Sequence, residues 1–226
     1  MFQKRCPAFG IVIAGIAALA LCSGCGDEEQ GGLPVDEVAA GWSAFQNADY
    51  EGGIASFQAA AGEASGWGEP YSGMGWCHVG LANASLLIDG DENAAEGHLL
   101  SAEQNFGLAV ARNANLTDAW VGMALVKMAQ VRYQADDAAV LAKYVEAGQA
   151  ASRAIELGQD KYVFRYDSQV TVRSLRVVLA EAAFYTGDYL TAEAQVELLD
   201  LNLMLDPHDP DYIERLLEAI ARLSLE

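Results

Sequence analysis

Between Cys6 and Ala111 the chain carries not one lysine or arginine. Over all 226 residues there are 13 basic against 32 acidic side chains, a formal net charge of −19. A field of that sign repels nucleic acid and anionic membrane surfaces and favours cationic partners or dissolved divalent ions. It also serves plain solubility. Proline is scarce, with five residues, so little interrupts a helix. Alternating apolar patterns of the strand kind are nearly absent. The exception is the stretch Lys161-Tyr162-Val163-Phe164-Arg165-Tyr166, which reads as extended. Catalytic signatures are missing too: there is no GxSxG, no phosphate-binding glycine loop and no HExxH. The three histidines, His78, His98 and His208, stand at no ligand spacing such as i and i+4. The segment Asp89-Gly90-Asp91-Glu92-Asn93 opens like a calcium loop. Its sixth residue is Ala94 rather than glycine and its twelfth is Leu100 rather than glutamate, so a solvated loop is expected. We expect no enzyme, no metal and no cofactor.

What is present begins with an export signal. Lys4 and Arg5 precede an uncharged apolar run from Phe9 to Leu21. A basic start and a short apolar run form a secretory signal. The run is shorter than the ~20 residues a spanning helix needs. It ends in Leu21-Cys22-Ser23-Gly24-Cys25, which resembles the lipobox of bacterial lipoproteins, with Cys22 where leucine is usual. The resemblance implies diacylglyceryl transfer to Cys25, cleavage before it and N-acylation. An ordinary signal-peptidase site releasing a free protein is the alternative. Gly26, rather than aspartate, follows the cysteine. By analogy with enterobacterial sorting this resembles an outer-membrane address facing the periplasm. We therefore divide the chain into a signal peptide (1–24), a lipidated cysteine with a flexible acidic tether (25–34), and a helical domain (35–226). Cleavage leaves 11 basic against 32 acidic residues. It also leaves Cys77 without a partner other than the lipidated Cys25, so no disulfide framework is available and a buried structural thiol is expected.

The remainder is rich in alanine and helically periodic, and the apolar content of the whole chain, 52 %, is too high for a disordered one. Asn47-Ala48-Asp49-Tyr50 recurs in form as Thr186-Gly187-Asp188-Tyr189. Gly41, Tyr50, Phe57 and Ala60 hold the places of one pattern in the first unit, and Ala180, Tyr189 and Ala192 hold places of the same pattern in the last. Between them Tyr71, Met74 and Gly75 open a unit that Ala102, Phe106 and Ala109 close. Trp120, Met123 and Ala124 open another, closed by Ala147, Ala151 and Ala154. Small residues at one crossing let helices approach closely while a large one fills the groove beside them. This succession resembles the tetratricopeptide repeat. The resemblance implies an all-α, right-handed superhelix, an α-solenoid of about four helical hairpins at 35–62, 69–113, 117–158 and 170–204. A capping helix at 210–224 follows, with Tyr212, Ile213, Leu216, Leu217, Ile220 and Leu223 as its apolar stripe, Asp209 as its cap and Pro210 in its first turn.

One segment stands out as a candidate partner-binding surface. Tyr162, Phe164, Arg165, Tyr166, Arg173 and Arg176 gather rings and guanidinium groups in an acidic protein. That combination is typical of interface hot spots, while an ordinary packing turn between hairpins is the alternative reading. The resemblance implies an interaction scaffold with a protein partner in the cell envelope, held on the membrane through Cys25. The alternative is an accessory lipoprotein that captures a ligand or glycan for transport, which a deep aromatic-lined pocket favours over a shallow groove.

Overall fold

The computed structural model describes residues 33–224, as helices joined by turns. The expected signal peptide, Cys25 and all but the last two tether residues lie outside the described residues. The helices are α1 (Val35–Gln46), α2 (Tyr50–Glu63), α3 (Glu69–Ala84), α4 (Glu92–Arg112), α5 (Thr117–Gln130), α6 (Asp137–Gly158), α7 (Val172–Tyr185), α8 (Tyr189–Leu199) and α9 (Tyr212–Leu223). They pair as hairpins α1–α2, α3–α4, α5–α6 and α7–α8, each stacked on the next. The expected hairpins are therefore present, with α3 prolonged by one π-turn over Ser85–Asp89.

One device starts the second helix of every hairpin. Asp49, Asp91, Asp136 and Asp188 each accept a hydrogen bond from the backbone N–H three residues on, at 2.8–3.1 Å. A carboxylate there satisfies one orphan donor and faces the positive end of the helix. Asp91 is thus a helix cap, and the preceding Gly90 supplies the left-handed turn (φ 65°). α7 starts instead on a capping box in which Thr171 accepts from Arg173 N and Ser174 Oγ accepts from Thr171 N.

The close packing rests on glycine facing phenylalanine. Phe57 and Phe106 are completely buried. A Cβ added at Gly41 or Gly73 would come within 2.7 or 2.4 Å of the Phe57 ring, and one at Gly75 or Gly122 within 2.6 or 2.1 Å of Phe106. Each ring is therefore slotted between two neighbouring first helices. Farther along, Lys127 of α5 bridges Glu103 of α4 and Glu146 of α6, tying three helices through one buried lysine.

The lid differs from expectation at its start. α9 begins at Tyr212, not at 210. Asp209 accepts instead from Asp211 N and Arg215 Nη1, both at 3.0 Å, shaping the turn before the helix. Tyr212, Leu216, Ala219, Ile220 and Leu223 close the second core cluster with Ala180, Ala183, Ala192 and Val196. Ile213 and Leu217, at 40 % and 38 % exposed, lie at the edge of the stripe.

Candidate functional site

The first helices α1, α3, α5 and α7 lie side by side and form one face of the stack. The loop between α6 and α7 folds onto that face. Its backbone makes a small antiparallel ribbon: Phe164 N donates to Val170 O at 2.8 Å and Val172 N to Tyr162 O at 3.0 Å, with Val163 opposite Thr171. The expected extension is shorter than 161–166: Lys161 ends a 3-10 turn, Tyr162–Phe164 is extended, and Arg165 and Tyr166 already form the turn that leads back to Val170. Side chains alternate across an extended segment, so Tyr162, Phe164 and Tyr166 point one way while Val163 and Arg165 are exposed.

The inward rings enter an aromatic cluster. Phe164, 1 % exposed, stacks on Trp76 with centroids 4.2 Å apart and meets Trp42 and Phe45 edge-on at 5.8 and 6.3 Å. Tyr166 lies parallel to Trp42 at 3.9 Å. Ring pairs of this kind add about 0.5–1.5 kcal/mol each beyond the area they bury. Below them the Tyr162 hydroxyl donates to Asp118 Oδ1 at 2.7 Å, and Trp76 Nε1 donates to the Asp118 carbonyl at 3.2 Å. Burial raises the Asp118 carboxyl above its ordinary pKa, against the lowering pull of the Tyr162 hydrogen bond and of Arg165. Burial, then the neighbouring Asp118, drives the Tyr162 hydroxyl upward.

The six candidate residues are thus divided. Tyr162 and Phe164 are buried within the chain, as a packing turn requires. Tyr166 is half-buried on Trp42, with the Arg165 guanidinium 5.6 Å from its ring centroid. Arg173 and Arg176 belong to α7, and Arg176 turns away to donate to Gln195 of α8 at 2.8 Å. Two of the six residues are thus core packing, and the other four are shared between the loop and α7.

Between the loop and helices α1 to α5 a cavity of about 250 Å³ remains. Phe45, Tyr50 and Trp76 are among its walls, and Asn83, Asp167 and Val170 also line it. Gly80 makes room for Tyr50, since a Cβ there would fall 2.4 Å from the ring. A larger open groove of about 590 Å³ lies at α6, α7 and α8, lined among others by Tyr144, Gly148, Ser152, Leu179 and Ala182.

One further juxtaposition escaped the linear reading. His78 of α3 and His98 of α4 stack with centroids 5.7 Å apart. Burial and then the second imidazole lower the pKa of His78. Among the described residues no three His, Cys, Asp or Glu side chains are grouped to hold a metal ion. Cys77 is fully buried, and burial, aided by Asp49, pushes its thiol up to about 12. That is the structural thiol expected.

The geometry of stacked hairpins has a counterpart among solved structures. A thermophilic TPR protein of Thermus thermophilus matches with a TM-score of 0.52 over 83 % of this chain and 81 % of its own, at 16 % identity. The fold is a tetratricopeptide-like solenoid. No family model matches the sequence, and no curated protein matches it. In this solenoid the loop of residues 162–171 occupies part of the face formed by the first helices.

Proposed function

We propose that the chain is a lipid-anchored scaffold of the bacterial cell envelope, held through Cys25 on the outer membrane facing the periplasm, that engages a protein partner through its helical repeats. The observation that carries this is the tetratricopeptide-like stack itself, whose repetition offers an extended surface to peptides or partner helices. The lipobox-like Leu21-Cys22-Ser23-Gly24-Cys25 supports the anchor. Among the described residues no helix is long and apolar enough to cross a membrane. Within the inserted loop, Arg165 and Tyr166 are the members that stay accessible, and they are the ones a partner would touch.

The test is mild crosslinking in native envelopes, purification of the acylated protein and mass spectrometry of both its amino terminus and its companions. One stoichiometric protein lost on Arg165→Ala with Tyr166→Ala supports the scaffold. A mature chain without acyl groups on Cys25 removes the anchor. A second reading, capture of a small ligand, is favoured by the aromatic-walled cavity that the loop helps to line.

A further inference from the structure

The cavity beneath the loop has a composition that narrows what it would hold. The rings of Phe45, Tyr50 and Trp76 share its walls with aliphatic side chains of α3, α4 and α5, and the loop contributes Val170 and the one carboxylate, Asp167. No lysine, arginine or histidine lines it. The helices that bring those rings, α1 to α3, belong to the half of the chain that has no basic residue from Cys6 to Ala111. Aromatic faces attract cations through the ring quadrupole, more strongly as the cation is desolvated. A carboxylate at the margin adds charge without filling the space. A neutral apolar ligand would gain from the rings but nothing from Asp167. An anion would meet a carboxylate and no counter-charge.

The volume sets the size. At about 250 Å³ the cavity lies below the range of about 300–1,000 Å³ that takes drug-sized ligands. The loop matters here because Asp167 and Val170 supply one wall and turn an open face into a half-open pocket. Phe164 fixes the loop on Trp76, Tyr162 pins it to Asp118, and Asp167 N donates to Phe164 O at 3.3 Å. Asp167 is held where it lines the cavity, its Oδ1 accepting from Gln169 N at 2.9 Å. The ribbon and the cavity are therefore one arrangement.

We propose that this cavity is a binding site for a small organic cation, an alkylammonium or quaternary ammonium group seated among Phe45, Tyr50 and Trp76 with Asp167 as its counter-charge. This rests on the ligand-capture reading and names its ligand class. The test uses the full chain in detergent and two isosteric pairs: choline with 3,3-dimethylbutan-1-ol, and n-hexylamine with n-hexanol. Binding is followed by calorimetry and by the fluorescence of Trp76, with Trp76→Phe as the spectroscopic control. At least one cation of the two pairs is expected to bind about tenfold more tightly than its neutral partner, and Asp167→Asn is expected to remove most of that preference. Asp167 is exposed, so the variant is expected to fold, which circular dichroism checks. Neutral compounds binding as tightly as the cations would overturn cation recognition and leave the ligand-capture reading standing. No saturable binding of any of the four would overturn both. A cation preference untouched by Asp167→Asn would overturn the assignment to this cavity.

Discussion

The first two hairpins and the last two pack the same crossing with different side chains. At the centre of the second helix the first two carry Phe57 and Phe106, the last two Ala151 and Val196, and all four are completely buried. In the front half each ring is gripped between glycines of two neighbouring first helices, Gly41 with Gly73 and Gly75 with Gly122. In the rear half Ala180 stands where the first unit has Gly41. Small aliphatic residues then fill the crossing and α9 covers it. The front half is thus set by shape, a ring in a slot, and the rear half by apolar area and a lid. The aromatic loop seats itself on the front half, where Trp42, Phe45 and Trp76 receive it. The open groove of about 590 Å³ lies in the rear half.

Truncating a slotted ring should produce the largest effect. Phe106→Ala is expected to lose about 3–5 kcal/mol, because the transfer energy of the ring and the cavity it leaves add together. Val196→Ala in the rear half should lose about 1–2 kcal/mol, having less area to forfeit and a lid able to settle. Urea unfolding of the two variants measures both. Equal losses would mean that the halves are packed alike and that the slot has no special weight.

Glycine-to-alanine exchange sharpens the same contrast. Gly122→Ala drives a methyl into the Phe106 ring, since the Cβ would fall 2.1 Å away. Overpacking of this kind costs about 1–3 kcal/mol. Gly107 also lies within a helix, α4, yet a Cβ there meets nothing within 4 Å. Gly107→Ala should therefore stabilise by about 0.5–1 kcal/mol through helix propensity alone. Thermal melts of the pair should shift in opposite directions. A stabilised Gly122→Ala would show that the front helices do not approach as closely as described.

These contrasts were unevenly legible in the sequence. The hairpin boundaries could be read because small residues recur at crossing positions and because Asp49-Tyr50 and Asp188-Tyr189 mark the turns. Asp91 and Asp136 cap their helices in the same way, but an acid rather than a tyrosine follows each, so they do not repeat the Asp-Tyr pattern of the other two turns. The alternation of 161–166 marked the extended core at Tyr162–Phe164 but hid the turns on either side of it. The direction of that core was not visible, since Phe164 is received by Trp42 and Trp76, which stand far away in the chain and carry no local mark of that pairing. For the same reason the six residues of the expected surface looked like one patch, when α7 turns Arg176 toward α8. The Lys127 bridge and the His78–His98 stack join different helices and have no linear spacing to betray them. The cavity under the loop depends on all of these long-range placements at once.

The smallest expected effect compares the two turns that first revealed the repeat. Gly187 and Ala48 occupy the same place before the capping aspartate, and both have positive φ, 82° and 58°. Glycine adopts that region freely, whereas a Cβ crowds the following carbonyl at a cost of roughly 1–2 kcal/mol. Ala48→Gly should relieve this strain but loosen the unfolded chain, which opposes the gain by about 0.4–1 kcal/mol. A net stabilisation of about 0.5 kcal/mol is expected. Gly187→Ala should destabilise by a similar amount, because nothing lies within 4 Å of its added Cβ and only the backbone resists. Paired urea titrations resolve the two signs. If Ala48→Gly destabilised, the first turn would be held by its alanine side chain rather than strained by it, and the two turns would differ in kind.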